Sequence, residues 1–308
     1  MWMLERFYDE LTQGHPDRTQ ITPVNITAAA EWFFVGTPKD NWHTRDDFPV
    51  TTPPFPEMWM EFIPPKYVNV NGERERWPIQ IQSAGCAASC IKVPLEESTN
   101  VIRENFIHKA FTAGGVVDNI PSGMVADGIK RALEHGREAA WVAHWDVSFE
   151  YEHRLKRGPS FTAYIEPDGR IVTELALLSG PREFMAVNPI QSFWPFWFAT
   201  SLMHAKNVSV ADDPLPAAIR RRRAKDGKRV ITFKTLKIAP MRKQAKKEAA
   251  ECQQSETKRA MHIVRGHFKD YRESGLFGRN KGLYWWDMHV AGDESAGRII
   301  KDYAVGKP

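Results

Sequence analysis

The chain has 308 residues, 42% hydrophobic and 26% charged. That is long enough to bury the core of one large domain or two medium ones, and the composition excludes a disordered chain, a collagen or a coiled coil. Three cysteines, an odd number, argue against a disulfide scaffold and for a reducing, cytoplasmic setting. The net charge of +4 hides an asymmetry: from Ala217 to Pro308, 23 Lys and Arg stand against 10 Asp and Glu, leaving 19 against 28 in residues 1–216. An acidic front and a basic back point either to an anionic partner for the last third or to pairing of the two parts within the chain.

In chain order, Leu4, Phe7, Tyr8 and Leu11 recur at helical spacing, and a second apolar segment covers Ala28 to Val35. No basic stretch followed by an apolar run opens the sequence, so no signal peptide is expected. Thr37 to Pro56 carries five prolines and reads as irregular loop. Met58 to Ile63 alternates as a strand ended by Pro64-Pro65, and Asn71-Gly72 predicts a hairpin within 66–94. Helices are expected over 97–112 and 122–138, with Ser98 and Ser122 as N-caps. Ala140 to Tyr151, Ser160 to Glu166 and Arg170 to Leu178 read as antiparallel strands, the last two joined by a turn at Pro167-Asp168-Gly169.

Ile190 to His204 predicts a buried helix in which Pro195 lies in the first turn or makes a kink. Its most apolar part, Phe193 to Met203, is half the length of a membrane span. Residues 207–228, with Asp212-Asp213-Pro214 and the run Arg220-Arg221-Arg222-Arg223, read as a basic linker or loop. A strand over Val230 to Ile238, a charged helix over Met241 to Gln254 and a terminal block over 259–305 complete the chain. The expected architecture is α+β: mixed helices with an antiparallel sheet over 1–206, the basic linker 207–228, and a basic C-terminal α/β motif region over 229–308.

Chemistry concentrates between His262 and Val290, where three histidines, four glycines and six aromatic residues are interleaved with cations. Flat aromatic faces for bases and cations for phosphates are what single-stranded nucleic acid needs. The same residues also suit a small β-unit with an aromatic core. On the binding reading Arg265 and Lys269 take phosphate, while Phe268, Tyr271 and Trp285 offer stacking surfaces. The run Arg220 to Arg223 with Lys225, Lys228 and Arg229 tracks a phosphate backbone, or is a solvated loop. A second cluster, Arg242, Lys243, Lys246 and Lys247, reinforces the first reading. His262, His267 and His289 are alternatively the acid and base of a metal-independent ribonuclease, although a spacing of five suits neither a helical metal pair nor one strand face. Cys86-Ala-Ala-Ser-Cys90 has neither zinc nor thioredoxin spacing and reads as buried small residues. There is no nucleotide fingerprint, nucleophile elbow or zinc-protease pair, so no cofactor and no metal is expected.

The pattern His262, Arg265, Gly266, His267, Phe268, Tyr271 and Trp285 resembles the C-terminal signature of a broad family of phage and mobile-element proteins that includes a type V-A anti-CRISPR protein. The likeness continues through Leu276-Phe277-Gly278 to His289. It extends more weakly to Ala205-Lys206-Asn207-Val208, Phe233 to Pro240 and Trp141 to Phe149, and covers the first half of the chain poorly. It implies a non-catalytic, host-interfering regulator in a bacterial cytoplasm. Such a protein recognises a host or CRISPR protein or its nascent peptide, with contact to messenger RNA or the ribosome and none to a membrane. His262, Gly266 and His267 then shape the turn.

Overall fold

The computed structural model describes residues 2–11, 21–35, 48–70, 73–76, 81–94, 139–165, 169, 171–180, 189–239, 260–264, 266–286, 289–291 and 293–298. The expected helices at 97–112, 122–138 and 241–254, the cluster Arg242–Lys247 and Arg265 lie outside them. So do Asn71-Gly72 and most of the turn before Arg170.

The chain opens with two single turns of helix, α1 (Met3–Arg6) and α2 (Tyr8–Leu11), which break at Phe7. Then come β1 (Thr22–Asn25), α3 (Thr27–Val35) and β2 (Glu57–Phe62). A hairpin, β3 (Tyr67–Val70) with β4 (Glu73–Arg76), brackets the Asn-Gly pair. Long antiparallel strands follow: β5 (Ile81–Pro94), β6 (Ala139–Tyr151), β7 (Arg154–Ile165) and β8 (Ile171–Ser179). A 3₁₀ turn at Pro189–Phe193 leads into α4 (Trp194–Met203), with Pro195 in its first turn. β9 (Val208–Asp213), α5 (Ala217–Lys225) and β10 (Phe233–Ile238) come next. Residues 207–228 are therefore a strand and a helix rather than a linker or loop. The prolines at 214 and 216 that suggested a loop mark the gap between them, Pro216 being the N-cap of α5.

Eight of these strands form one sheet in the order β8-β7-β6-β5-β2-β1-β10-β9. It is antiparallel except at β1, which runs parallel to both neighbours. The fold is α+β, and the sheet draws strands from both sides of residue 206. Among the described residues no helix is long and apolar enough to cross a membrane.

Alternation assigns each face of the sheet. On one face β5 presents Ala84, Cys86, Ala88 and Cys90, all buried, flanked by Met58, Met60, Trp145, Val147 and Phe161. The small residues of β5 leave room for the aromatic side of α4, whose Phe196, Trp197 and Phe198 are fully buried. Trp197 meets Trp145 and Phe161 edge-on, with ring centroids 5.7 and 5.2 Å apart. Cys86 and Cys90 thus fill space next to aromatic rings. Burial pushes the Cys90 thiol up to about 12, so it stays protonated.

The opposite face carries buried polar side chains beside a smaller apolar cluster of Trp59 and Phe233, over which α1 packs Met3 and Leu4. Glu61 on β2 is fully buried and accepts the N–H of Met3, the N–H of Leu4 (3.1 Å) and the indole N–H of Trp59 (3.0 Å). Burial, with a smaller contribution from Glu5, raises its pKa above the usual carboxylate value, and the three donors offset this only in part. Gly85 is needed beside it, because a Cβ there would sit 2.2 Å from the Trp59 ring. Further along, the His144 Nε2–H donates to Asp146 (2.9 Å), while Nδ1 lies 2.7 Å from the Thr162 hydroxyl; the Ser160 hydroxyl donates to Asp146. Burial raises the Asp146 pKa, but His144 and Ser160 overcome this and hold it below the usual carboxylate range. Hydroxyl, imidazole and carboxylate stand in the order of a hydrolytic triad, with Thr162 and His144 buried between β6 and β7. This chain of hydrogen bonds ties β6 to β7.

His204, the C-cap residue of α4, donates its Nε2–H to the carbonyl of Thr52 (2.7 Å). Burial lowers its pKa. Between that lowered value and the unfolded value of about 6.5, the unfolded chain binds the extra proton, so this ring costs stability as pH falls through the window, by at most about 1.4 kcal/mol per pH unit. Chemical denaturation should show the stability gap between wild type and His204→Gln narrowing below about pH 6.5. A gap independent of pH would contradict this.

Candidate nucleic-acid interface

The hairpin of β9 and β10 pairs from Val208↔Ile238 to Asp213↔Phe233, and its connection carries α5. The helix is built of AAIRRRRAK and has no acidic residue. Arg222, Arg223 and Lys225 in its last turn suit the negative end of the helix dipole. Gly227, at φ +65, ends it.

Only part of the basic run is neutralised by the acidic front. Arg223 forms a hydrogen-bonded ion pair with Glu5 of α1, and the Arg229 guanidinium lies 3.7 Å from the Tyr8 ring centroid and 3.6 Å from Asp9. Arg220, Arg221, Arg222, Lys225 and Lys228 are exposed and form no ion pair among the described residues. At 3.6 residues per turn, Arg221 and Lys225 lie on the side opposite Arg223. The contact with Glu5 therefore turns the Arg221–Lys225 side toward solvent. Like charges four apart repel by a few tenths of a kcal/mol, which an anion laid along that side relieves.

The C-terminal motif is arranged differently from the sequence expectation. β11 (Ala260–Val264) pairs with β14 (His289–Ala291) and β15 (Asp293–Arg298), while β12 (His267–Asp270) and β13 (Leu283–Trp286) form a separate hairpin. His262 pairs with Ala291, and His289 with Val264, in one small sheet; His267 pairs with Trp286 in the other. The three histidines are thus spread over three strands, and the side chains of His262 and His289 lie outside the described part.

Trp285 is no stacking surface. It is 1% exposed, with Phe268 4.7 Å, Phe198 5.2 Å and Trp32 5.9 Å from its ring. Phe268 is partly buried in the same cluster, and both rings belong to the core. Asn207 fixes the strand behind them: its carbonyl oxygen accepts the Trp285 N–H (2.9 Å) and its amide donates to the Trp285 carbonyl (2.7 Å). Gly266 lies against the ring, since a Cβ there would be 2.7 Å from Trp285. This is the role of the glycine in the motif. Lys269 places its ammonium 4.2 Å from the Trp286 ring centroid, and Tyr271 meets Tyr284 edge-on at 6.0 Å; both remain partly exposed.

The structure therefore divides the predicted site. Arg220, Arg221 and Arg222 face solvent on α5, Arg223 anchors the helix to α1, and Lys269 and Tyr271 sit on the β12–β13 hairpin. Sequence reading missed Lys225 only as a member of a helix, placed Lys228 in the same basic run although it lies just past the end of α5, and missed Phe277, 83% exposed, as a residue in its own right. Comparison with protein-family models, with curated proteins and with solved structures finds no match to this chain.

Proposed function

We propose that the chain is a non-catalytic RNA-binding protein that docks the phosphate backbone on α5. The observation that carries this reading is the set of exposed cations on one short helix that has no acidic residue, cations without an ion pair among the described residues, on a helix held to α1 by Arg223. Phosphate contacts of this kind bring affinity without sequence choice. Sequence choice would come from elsewhere on the surface. The resemblance of the C-terminal motif supports a regulatory setting: a phage or mobile-element protein acting on a message under translation, or on the ribosome carrying it, in a bacterial cytoplasm, with a host or CRISPR protein as the target lowered.

Fluorescence anisotropy with a labelled RNA tests the reading. Arg221→Ala, Arg222→Ala and Lys225→Ala combined should weaken binding by about 10- to 100-fold near physiological salt. The same variant should unfold no earlier than wild type, because alanine is the better helix former and the like-charge repulsion is gone. The RNA should be recovered intact. Unchanged affinity in the triple variant would remove α5 as the site, and cleavage of the RNA would overturn the non-catalytic half of the proposal.

A further inference from the structure

The loop from Tyr271 to Gly282 that joins β12 to β13 is held by its own backbone. The Tyr271 N–H donates to the Gly282 carbonyl (2.8 Å), and Leu276 and Asn280 exchange N–H bonds of 2.8 and 3.0 Å. At its tip, the Arg279 N–H donates to the Leu276 carbonyl (3.2 Å), and the two residues between, Phe277 and Gly278, have φ of +54 and +71. That is a tight turn with two left-handed residues, which selects glycine, asparagine or aspartate. A bulky aromatic residue there is an outlier. Nor does packing select it, because Leu276 is buried whereas Phe277 is 83% exposed.

A residue disfavoured by its backbone and unsupported by any core contact points to a role in recognition. The chemistry around the ring says of what. Arg279 and Lys281 are exposed and form no ion pair among the described residues. Glu273 is the loop's one carboxylate. The neighbours Gly275, Gly278 and Asn280 are small or polar and Leu276 is buried, so among the described residues the loop adds no second exposed large apolar side chain toward the patch a protein interface needs. One flat ring flanked by cations is the unit that holds an unstacked base and its phosphates.

We propose that Phe277 is a stacking residue for a base of single-stranded RNA, with Arg279 and Lys281 on the adjoining phosphates. The assignment rests on the RNA reading of α5 and gives it a single-strand preference. The test is anisotropy with fluorescein-labelled oligo(A) and a blunt RNA duplex, on the full chain. Phe277→Ala should weaken oligo(A) binding by roughly 5- to 100-fold and leave duplex binding unchanged. Phe277→Tyr and Phe277→Trp should keep wild-type affinity, and Phe277→Leu should behave like alanine. Thermal unfolding of Phe277→Ala should be no earlier than wild type, so a loss of binding is not a loss of fold. Wild-type affinity in Phe277→Ala, while the α5 variant still loses binding, would overturn the stacking assignment and leave the RNA reading standing. Retained affinity in Phe277→Leu alone would overturn it in favour of apolar insertion. A wild-type chain that binds neither RNA would overturn both.

Discussion

Trp285→Ala should destabilise the protein by about 3–5 kcal/mol, the range for removing a large buried aromatic side chain. The indole is 1% exposed and is the point where the β12–β13 hairpin meets α3 and α4, through Trp32 and Phe198. Its removal leaves a cavity walled by Phe268, Phe198 and Trp32, and the Asn207 side-chain bonds to the Trp285 backbone limit collapse into it. Trp285→Phe should cost far less, because it keeps a ring and removes a buried Nε1–H that has no hydrogen-bond partner among the described residues. Urea denaturation decides between the alternatives. A fall in midpoint with an unchanged slope fits the cavity account; a loss below 1 kcal/mol for the alanine variant would show that the hairpin is not part of the core.

Glu61→Ala should be the second severe substitution, at about 2–4 kcal/mol. It removes the acceptor of three N–H groups on the face of the sheet under α1, two of them in α1. The cost has a ceiling because α1 can leave the sheet and hydrate its own two donors, at the expense of the Met3 and Leu4 packing over Trp59. Glutamine is no remedy, since its amide turns a donor toward donors. Undocking of α1 also separates Glu5 from Arg223 and Arg6 from Glu150. Limited trypsin treatment should therefore cleave the variant after Arg6 at concentrations that spare the wild type. Equal resistance would contradict the role given to Glu61.

The sequence announced the sheet better than the site. β2, β6, β7 and β8 were legible because aromatic and β-branched residues alternate in runs bounded by turn residues. β1 was not: with only Thr22–Asn25 and a proline inside, it exists because β2 and β10 pair with it on both sides. β9 and α5 were hidden for a related reason. Val208, Val210 and one Ile219 are too few apolar residues to show a period, and α5 is fixed by tertiary contacts to α1 rather than by an apolar face. The connection of β6 to β7 was also missed, since Glu152 and His153 take left-handed conformations that sequence rules reserve for asparagine and glycine.

Within the candidate site, residue type was legible and exposure was not. An aromatic run with interleaved cations reads the same whether its rings face water or core. Trp285 and Phe268 went to the core because α4 brings Phe198 against them, a contact with no local signal. The cations of α5 stayed outside because a charged group has no reason to leave water unless it finds a partner, and among the described residues Arg223 is the one on that helix with an ion pair.

The most direct test of the account is the salt dependence of RNA binding by the wild-type chain. If α5 holds phosphates, log K should fall linearly with log salt, with a slope of at least about −2, and the triple variant Arg221→Ala, Arg222→Ala, Lys225→Ala should flatten that slope by about 2. A wild-type slope near zero, or one the triple variant leaves untouched, would contradict the claim that this helix binds RNA.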